Sequence, residues 1–241
     1  MSTSLIVGGS KGIGLEIANT FKKRGDKTYV LSRNKNSWDD DFIQADLADL
    51  STLTEAIAFI RKNNIHFNYL VFSQKNRIDQ KSLEVETQVT LKATQYLVEQ
   101  LIPDCMSKNG AVVFLGSPIA RLVMSNAPVE YQICRAAFEH LARYYAVQFG
   151  KFGITFNCVI PNTTVLKKEN QEFFKANPNI TDLLKKITPL QKISEAQDVA
   201  NAVSFFCSEN AGFISGQTLL IDGGQSLLAH EAIARQLVEV Q

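Results

Sequence analysis

The amino-acid sequence predicts an α/β protein built on one doubly wound parallel sheet, about seven strands with helices on both faces. Three observations predict it. Short apolar runs alternate with longer amphipathic segments from end to end, the pattern of strand–helix–strand crossovers closing a parallel sheet. The 241 residues are 45% hydrophobic and 20% charged, enough for one sizeable core and for a single domain spanning 1–241. A glycine-rich turn from Gly8 to Gly14 joins the first apolar run to the first amphipathic one, where a helix start can receive an anion.

Taken in order, the strands centre on Leu5 to Val7, Thr28 to Leu31, Phe42 to Ala45, Tyr69 to Phe72, Ala111 to Leu115, Thr155 to Ile160 and Thr218 to Ile221. Between them, Leu15 to Phe21, Leu50 to Ile60, Leu83 to Ile102, Tyr131 to Phe149 and Gln197 to Phe206 carry apolar residues at helical spacing. Each crossover therefore lays a helix on a sheet face. The triple acid Asp39-Asp40-Asp41 reads as a solvated turn before the third strand. From Thr163 to Pro189 the chain mixes Asn, Pro and Lys with a short helical stretch around Phe173-Phe174. Such an excursion after a strand end covers the ligand crevice of an open α/β sheet, so 163–189 is the candidate substrate lid.

Bulk charge narrows the partners. Twenty-five basic against 24 acidic side chains leave a formal charge of +1, which favours neither nucleic acid nor an anionic membrane. A small ligand is expected. Cys105, Cys134, Cys158 and Cys207 lie far apart without metal-ligand spacing and read as buried free thiols. His66, His140 and His230 show no paired spacing and read as structural; no metal is expected. Met1 leads almost directly into Leu5-Ile6-Val7, with no leader pattern and no apolar run of about 18 residues, so the expected location is cytoplasmic.

The glycine turn carries the first chemistry. Gly8 permits a tight turn, Gly12 lets the backbone approach phosphate oxygens, and Gly14 allows the helix to pack closely on the strand. The spacing GxxxGxG resembles that of the short-chain dehydrogenase/reductase family. The resemblance extends over nearly the whole chain: Asp46 after Phe42-Ile43-Gln44-Ala45 matches the family's acid beside the adenine ring, Phe156 to Pro161 looks like its strand leading to the nicotinamide, and Ile214-Ser215-Gly216-Gln217 through Asp222-Gly223-Gly224 is similar to its C-terminal signature.

That resemblance implies a Rossmann fold and a nicotinamide dinucleotide contacted by Gly8, Ser10, Lys11, Gly12, Ile13 and Gly14. Ser32, Arg33, Asp46, Leu47, Ser73, Tyr131, Arg135 and Pro161 complete the implied contacts. An acid at the end of the second strand would chelate a free ribose diol, but Ser32 stands there, followed by Arg33. With Lys11 in the loop, two cations can converge on a 2′-phosphate, so NADP(H) is expected over NAD(H).

The resemblance also implies a catalytic set. Ser117 takes the place of the serine that hydrogen-bonds the substrate oxygen, and Tyr131 that of the tyrosine that exchanges its proton. Arg135 stands where the family has lysine, and Thr90 where it has the supporting asparagine. Spacing i, i+4 puts Tyr131 and Arg135 on one helix face, where the guanidinium can lie near both the phenol and the nicotinamide ribose. Lowering a phenol from about pKa 10 toward 7 takes about 4 kcal/mol, and a cation at roughly 4 Å in an effective dielectric of 20 supplies about that. A guanidinium is bulkier than an ammonium and cannot release a proton into a relay. Two further departures are Ser73-Gln74-Lys75 in place of an Asn-Ala-Gly turn, which should reshape the adenosine side, and Pro161-Asn162 in place of Pro-Gly, a mild change because Asn tolerates a left-handed backbone.

The function expected is therefore an NADP(H)-dependent oxidoreductase that reduces a keto group or oxidises a hydroxy group of a small organic molecule. The altered set keeps two alternatives open: a non-redox dehydratase or isomerase on the same fold, and a catalytically impaired nucleotide-binding subunit. The resemblance further implies a homotetramer or homodimer, with the helices Leu83 to Ile102 and Tyr131 to Phe149 packing across a two-fold axis. The apolar stretch from Ser226 to Gln241 would meet a neighbouring subunit or cap the active site.

Overall fold

A computed structural model describes residues 1–36, 38, 40–76 and 82–238. Asp39 of the acidic turn and residues 239–241 of the C-terminal stretch lie outside the described residues. The strands are β1 (Thr3–Val7), β2 (Lys27–Ser32), β3 (Phe42–Gln44), β4 (Phe67–Phe72), β5 (Met106–Leu115), β6 (Thr155–Pro161), β7 (Val165–Leu166), β8 (Ser194–Glu195) and β9 (Thr218–Ile221). Seven of them form one sheet in the order β3-β2-β1-β4-β5-β6-β9, with every neighbouring pair parallel. This is the doubly wound sheet that the alternating pattern predicts. β7 and β8 pair separately, also in parallel.

The helices are α1 (Gly12–Lys23), α2 (Leu50–Lys62), α3 (Leu83–Thr87), α4 (Ala93–Cys105), α5 (Val129–Phe149), α6 (Gln171–Ala176), α7 (Pro178–Lys186), α8 (Ala196–Phe206) and α9 (His230–Val238). Strand period two decides which face each residue serves. Leu5, Val7, Leu31, Leu70, Phe72, Phe114 and Phe156 point to one side, where Leu53, Ile57, Leu97 and Phe138 of α2, α4 and α5 cover them. Ile6, Val30, Val71, Val113 and Val159 point to the other, under Ile17 and Phe21 of α1 and Val199 and Val203 of α8. Both faces are buried, so the strands read as continuous apolar runs.

The segment expected as one helix over Leu83 to Ile102 has an internal irregularity. A π-helical turn at Gln88–Lys92 separates α3 from α4. Here Thr90 Oγ1 donates to Glu86 Oε1 at 2.7 Å and Thr94 Oγ1 to the Thr90 carbonyl at 2.6 Å. Threonine hydroxyls that bond back to the preceding turn bend a helix, and π turns gather at functional sites. Residues 163–189 are more ordered than composition suggests, holding β7, a 3-10 turn at Lys168–Asn170, α6 over Phe173-Phe174, and α7. α9 lies against α7.

The sheet order reverses at β1, since β2 and β3 lie to one side of it and β4, β5, β6 and β9 to the other. At such a switch point the crossovers diverge and open a crevice beyond the strands' C-terminal ends. The next residues after β1, β4 and β5 are Gly8, Ser73 and Gly116, and all three line a groove there.

Candidate active site

The glycine turn forms the floor of this groove. Gly8 adopts φ +80, and a Cβ on it would stand 2.7 Å from the Gln74 Cα. On Gly14 a Cβ would come within 2.4 Å of both the Gly8 carbonyl oxygen and Ser73 Oγ. Only glycine fits at either place. Lys11 occupies the N-cap position of α1 and supplies no capping side-chain bond, which leaves the first amides of the helix to partners from elsewhere. Ser10, Lys11, Ile13 and Ser73 line it beside the glycines. Gly12, expected as a cofactor contact, is not among the residues lining the groove; its N–H donates to Glu169 Oε1 at 2.7 Å.

At the β2 end, Ser32, Arg33, Asp46 and Leu47 all face the groove. Ser32 Oγ donates to the Asn34 carbonyl, and Asp46 accepts from the Ala48 amide while its own amide donates to Thr52 Oγ1. Asn36, at φ +48, donates from Nδ2 to Ser10 Oγ at 2.9 Å and so ties this turn to the glycine loop. Asn34 and Asn36 line the groove although the sequence reading passed over them. Their signal is the run of turn-forming residues after β2.

At the other end, Ser117, Tyr131, Arg135 and Pro161 line the same groove. α5 begins just before Tyr131, with Pro128 at its N-cap, and its i, i+4 spacing brings the Arg135 Cζ to 5.0 Å from the Tyr131 ring centroid. Lys75 Nζ lies 5.0 Å from the same ring. Arg135 is 3% exposed and both its terminal nitrogens are engaged: one donates to the Leu115 carbonyl at 2.9 Å and the other to the Gln74 carbonyl at 2.6 Å. The cation therefore clasps the chain at the ends of β4 and β5. Its Nε, and Gln74 Oε1, have no hydrogen-bond partner among the described residues.

Thr90 is not brought to the groove. It is fully buried in the π turn and its hydroxyl is spent on Glu86. A chain of bonds instead links the two changed positions: Arg135 to the Gln74 carbonyl, Gln74 Nε2 to Thr94 Oγ1, Thr94 to the Thr90 carbonyl, and Thr90 to Glu86. Glu86, 6% exposed, lines a second cavity of about 450 Å³ together with Ser117, Ile119, Glu130, Tyr131 and Thr163. Ser117 and Tyr131 belong to both spaces. Sequence reasoning missed Glu86, whose place beside the cavity follows from the packing of α3 against α5 rather than from any local motif.

The residues of the groove fit a dinucleotide: a glycine cradle in which a Cβ on Gly8 or Gly14 would clash, a helix start already holding a carboxylate at its first amide, and buried polar atoms of Gln74 and Arg135 in its lining left without partners among the described residues. Sheet order and groove together define a Rossmann-type dinucleotide-binding protein. The family model described as enoyl-(acyl carrier protein) reductase matches residues 7–226. The chain belongs to the short-chain dehydrogenase/reductase family, whose members are oxidoreductases that use nicotinamide cofactors. It is 29% identical to a tropinone reductase homolog of Arabidopsis thaliana, over 92% of each chain. It is 27% identical to the 1-cyclohexenylcarbonyl-CoA reductase of Streptomyces collinus, over 94% of this chain and 87% of that one. Among solved structures, the ligand-free aldohexose dehydrogenase of Thermoplasma acidophilum superposes with a TM-score of 0.82 at 25% identity, covering 95% of each chain. Among the described residues no helix is long and apolar enough to cross a membrane, and no cluster of side chains is suited to a metal ion.

Proposed function

We propose that this protein is an NADP(H)-dependent oxidoreductase that interconverts a carbonyl and an alcohol on a small organic molecule. One observation carries the reading: Ser117 and Tyr131 stand where the dinucleotide groove and the adjoining cavity meet. A bound nicotinamide would exchange hydride with the substrate carbon. The Tyr131 hydroxyl gives or takes the proton at the substrate oxygen, and Ser117 Oγ hydrogen-bonds that oxygen. Arg135 places a fixed positive charge beside the tyrosine and holds β4 and β5 in register beneath it, without passing a proton itself. Residues 163–189 close the substrate side as a lid, and the whole of 1–241 acts as one domain.

NADP(H) is favoured over NAD(H) because Lys11 and Arg33 line the groove together with Ser32, so that a ribose 2′-phosphate bound at Ser32 could make charge-assisted bonds. The protein is proposed to work in the cytoplasm as a homodimer or homotetramer. Exposed Val129, Ile133, Tyr144 and Val147 form one stripe along α5 suited to a two-fold contact.

Oxidation of NADPH against a panel of ketones tests the activity. The Tyr131→Phe variant keeps the ring between its two cations and loses only the hydroxyl, so turnover should fall about 10²–10⁴-fold with NADPH affinity unchanged. Retained turnover in that variant would overturn the role of Tyr131. A second reading draws on the commitment of Arg135 to two main-chain carbonyls. If that leaves the ribose without its usual cationic partner, the chain holds nucleotide without turning it over. NADPH binding with no oxidation across the panel would select it.

A further inference from the structure

The first turn of α1 is capped from a distant part of the chain. The Gly12 amide donates to a carboxylate oxygen of Glu169 at 2.7 Å, across 157 residues of sequence. No side chain of the helix's own N-cap residue competes for this place, since Lys11 carries no acceptor. The segment that delivers Glu169 is itself pinned. Asn170 Oδ1 accepts from the Lys167 amide at 2.9 Å, Asn170 Nδ2 donates to the Val165 carbonyl at 3.0 Å, and β7 is paired to β8. Val165 and Lys167 line the same groove as the glycine turn, and the Lys167 Cδ would lie 3.7 Å from a Cβ on Gly12.

A carboxylate and a phosphate present the same chemistry to a helix start: anionic oxygens that accept from the first amides and align with the positive end of the helix dipole. We propose that Glu169 is the chain's own stand-in for the cofactor diphosphate. It would hold the 163–189 segment across the groove when no nucleotide is bound, and would be displaced when one binds. This rests on the reading of the groove as a dinucleotide site. Two anions cannot share the Gly12 amide, and the one already present repels the other. Cofactor binding and the position of the segment next to the substrate cavity are therefore coupled, and Glu169 sets nucleotide affinity without belonging to the glycine turn.

The test measures dissociation constants for NADPH and NADH by calorimetry on the full-length wild type, Glu169→Ala and Glu169→Gln. Removing the carboxylate should tighten NADPH binding about fivefold or more, with Glu169→Gln between the alanine variant and the wild type because it keeps an acceptor oxygen and loses the charge. Equal or weaker binding by both variants, alongside normal binding by the wild type, overturns the inference and leaves the groove reading standing. If none of the three proteins binds either nucleotide, the groove reading falls and the inference falls with it.

Discussion

Tyr131 lies between two cations, and only one of them was predicted from the sequence. Ser117 and Tyr131 were singled out by the family resemblance, and both line the groove. The partners of Arg135 were not, because they are main-chain carbonyls 20 and 61 residues away, at strand ends that only the folded sheet brings together. Arg135→Met should therefore reveal itself first as a loss of stability. It strands two buried carbonyls at once, which should cost about 2–4 kcal/mol in urea unfolding. Arg33→Ala acts elsewhere: it should weaken NADPH binding about tenfold or more and leave NADH nearly unaffected, measured by fluorescence titration. Equal losses for both nucleotides would remove the basis for a 2′-phosphate preference.

Between residue and fold, α5 does two jobs, since it presents Tyr131 to the groove and also anchors the loop that follows Ser117. Glu139 on this helix accepts from Arg121 Nε at 3.0 Å and from its terminal nitrogen at 2.6 Å. Those bonds hold the Glu139 carboxyl below its ordinary value, against the opposing effect of burial. A carboxylate with a lowered native pKa stabilises the fold above the ordinary range near 4.3, and that contribution disappears as the pH falls through the lowered value. Arg121→Met should thus cost about 1 kcal/mol at neutral pH, a modest figure because the arginine is half exposed. The two unfolding curves should begin to approach each other as the pH falls below about 4.3 and meet once it is below the lowered value of Glu139. The π turn between α3 and α4 is the element that sequence periodicity could not show. Its apolar spacing reads as a continuous helix, and the irregularity comes from hydroxyl bonds that pattern analysis does not register.

At the scale of the whole molecule, the fold class and the seven strands of the main sheet were legible from strands that are apolar on both faces, whereas the sheet order and the short β7–β8 pair come from the structure. The Glu169 contact was not, because nothing near Gly12 in sequence announces a partner from beyond β6. The stripe on α5 makes a solution prediction: light scattering should give a multiple of 26.8 kDa, and Val147→Glu should lower the assembly state without unfolding the protomer. A persistent monomer in the wild type would reject the proposed assembly. The four thiols, finally, are all buried, and burial pushes Cys158 and Cys207 up to about 12. At pH 7 to 8 thiolate is the reactive species, so these native cysteines give maleimide reagents almost nothing to attack. The wild-type chain is thus a ready background for single-site labelling. A dye on a cysteine placed at Lys168 would watch the 163–189 segment move without any native cysteine having to be removed.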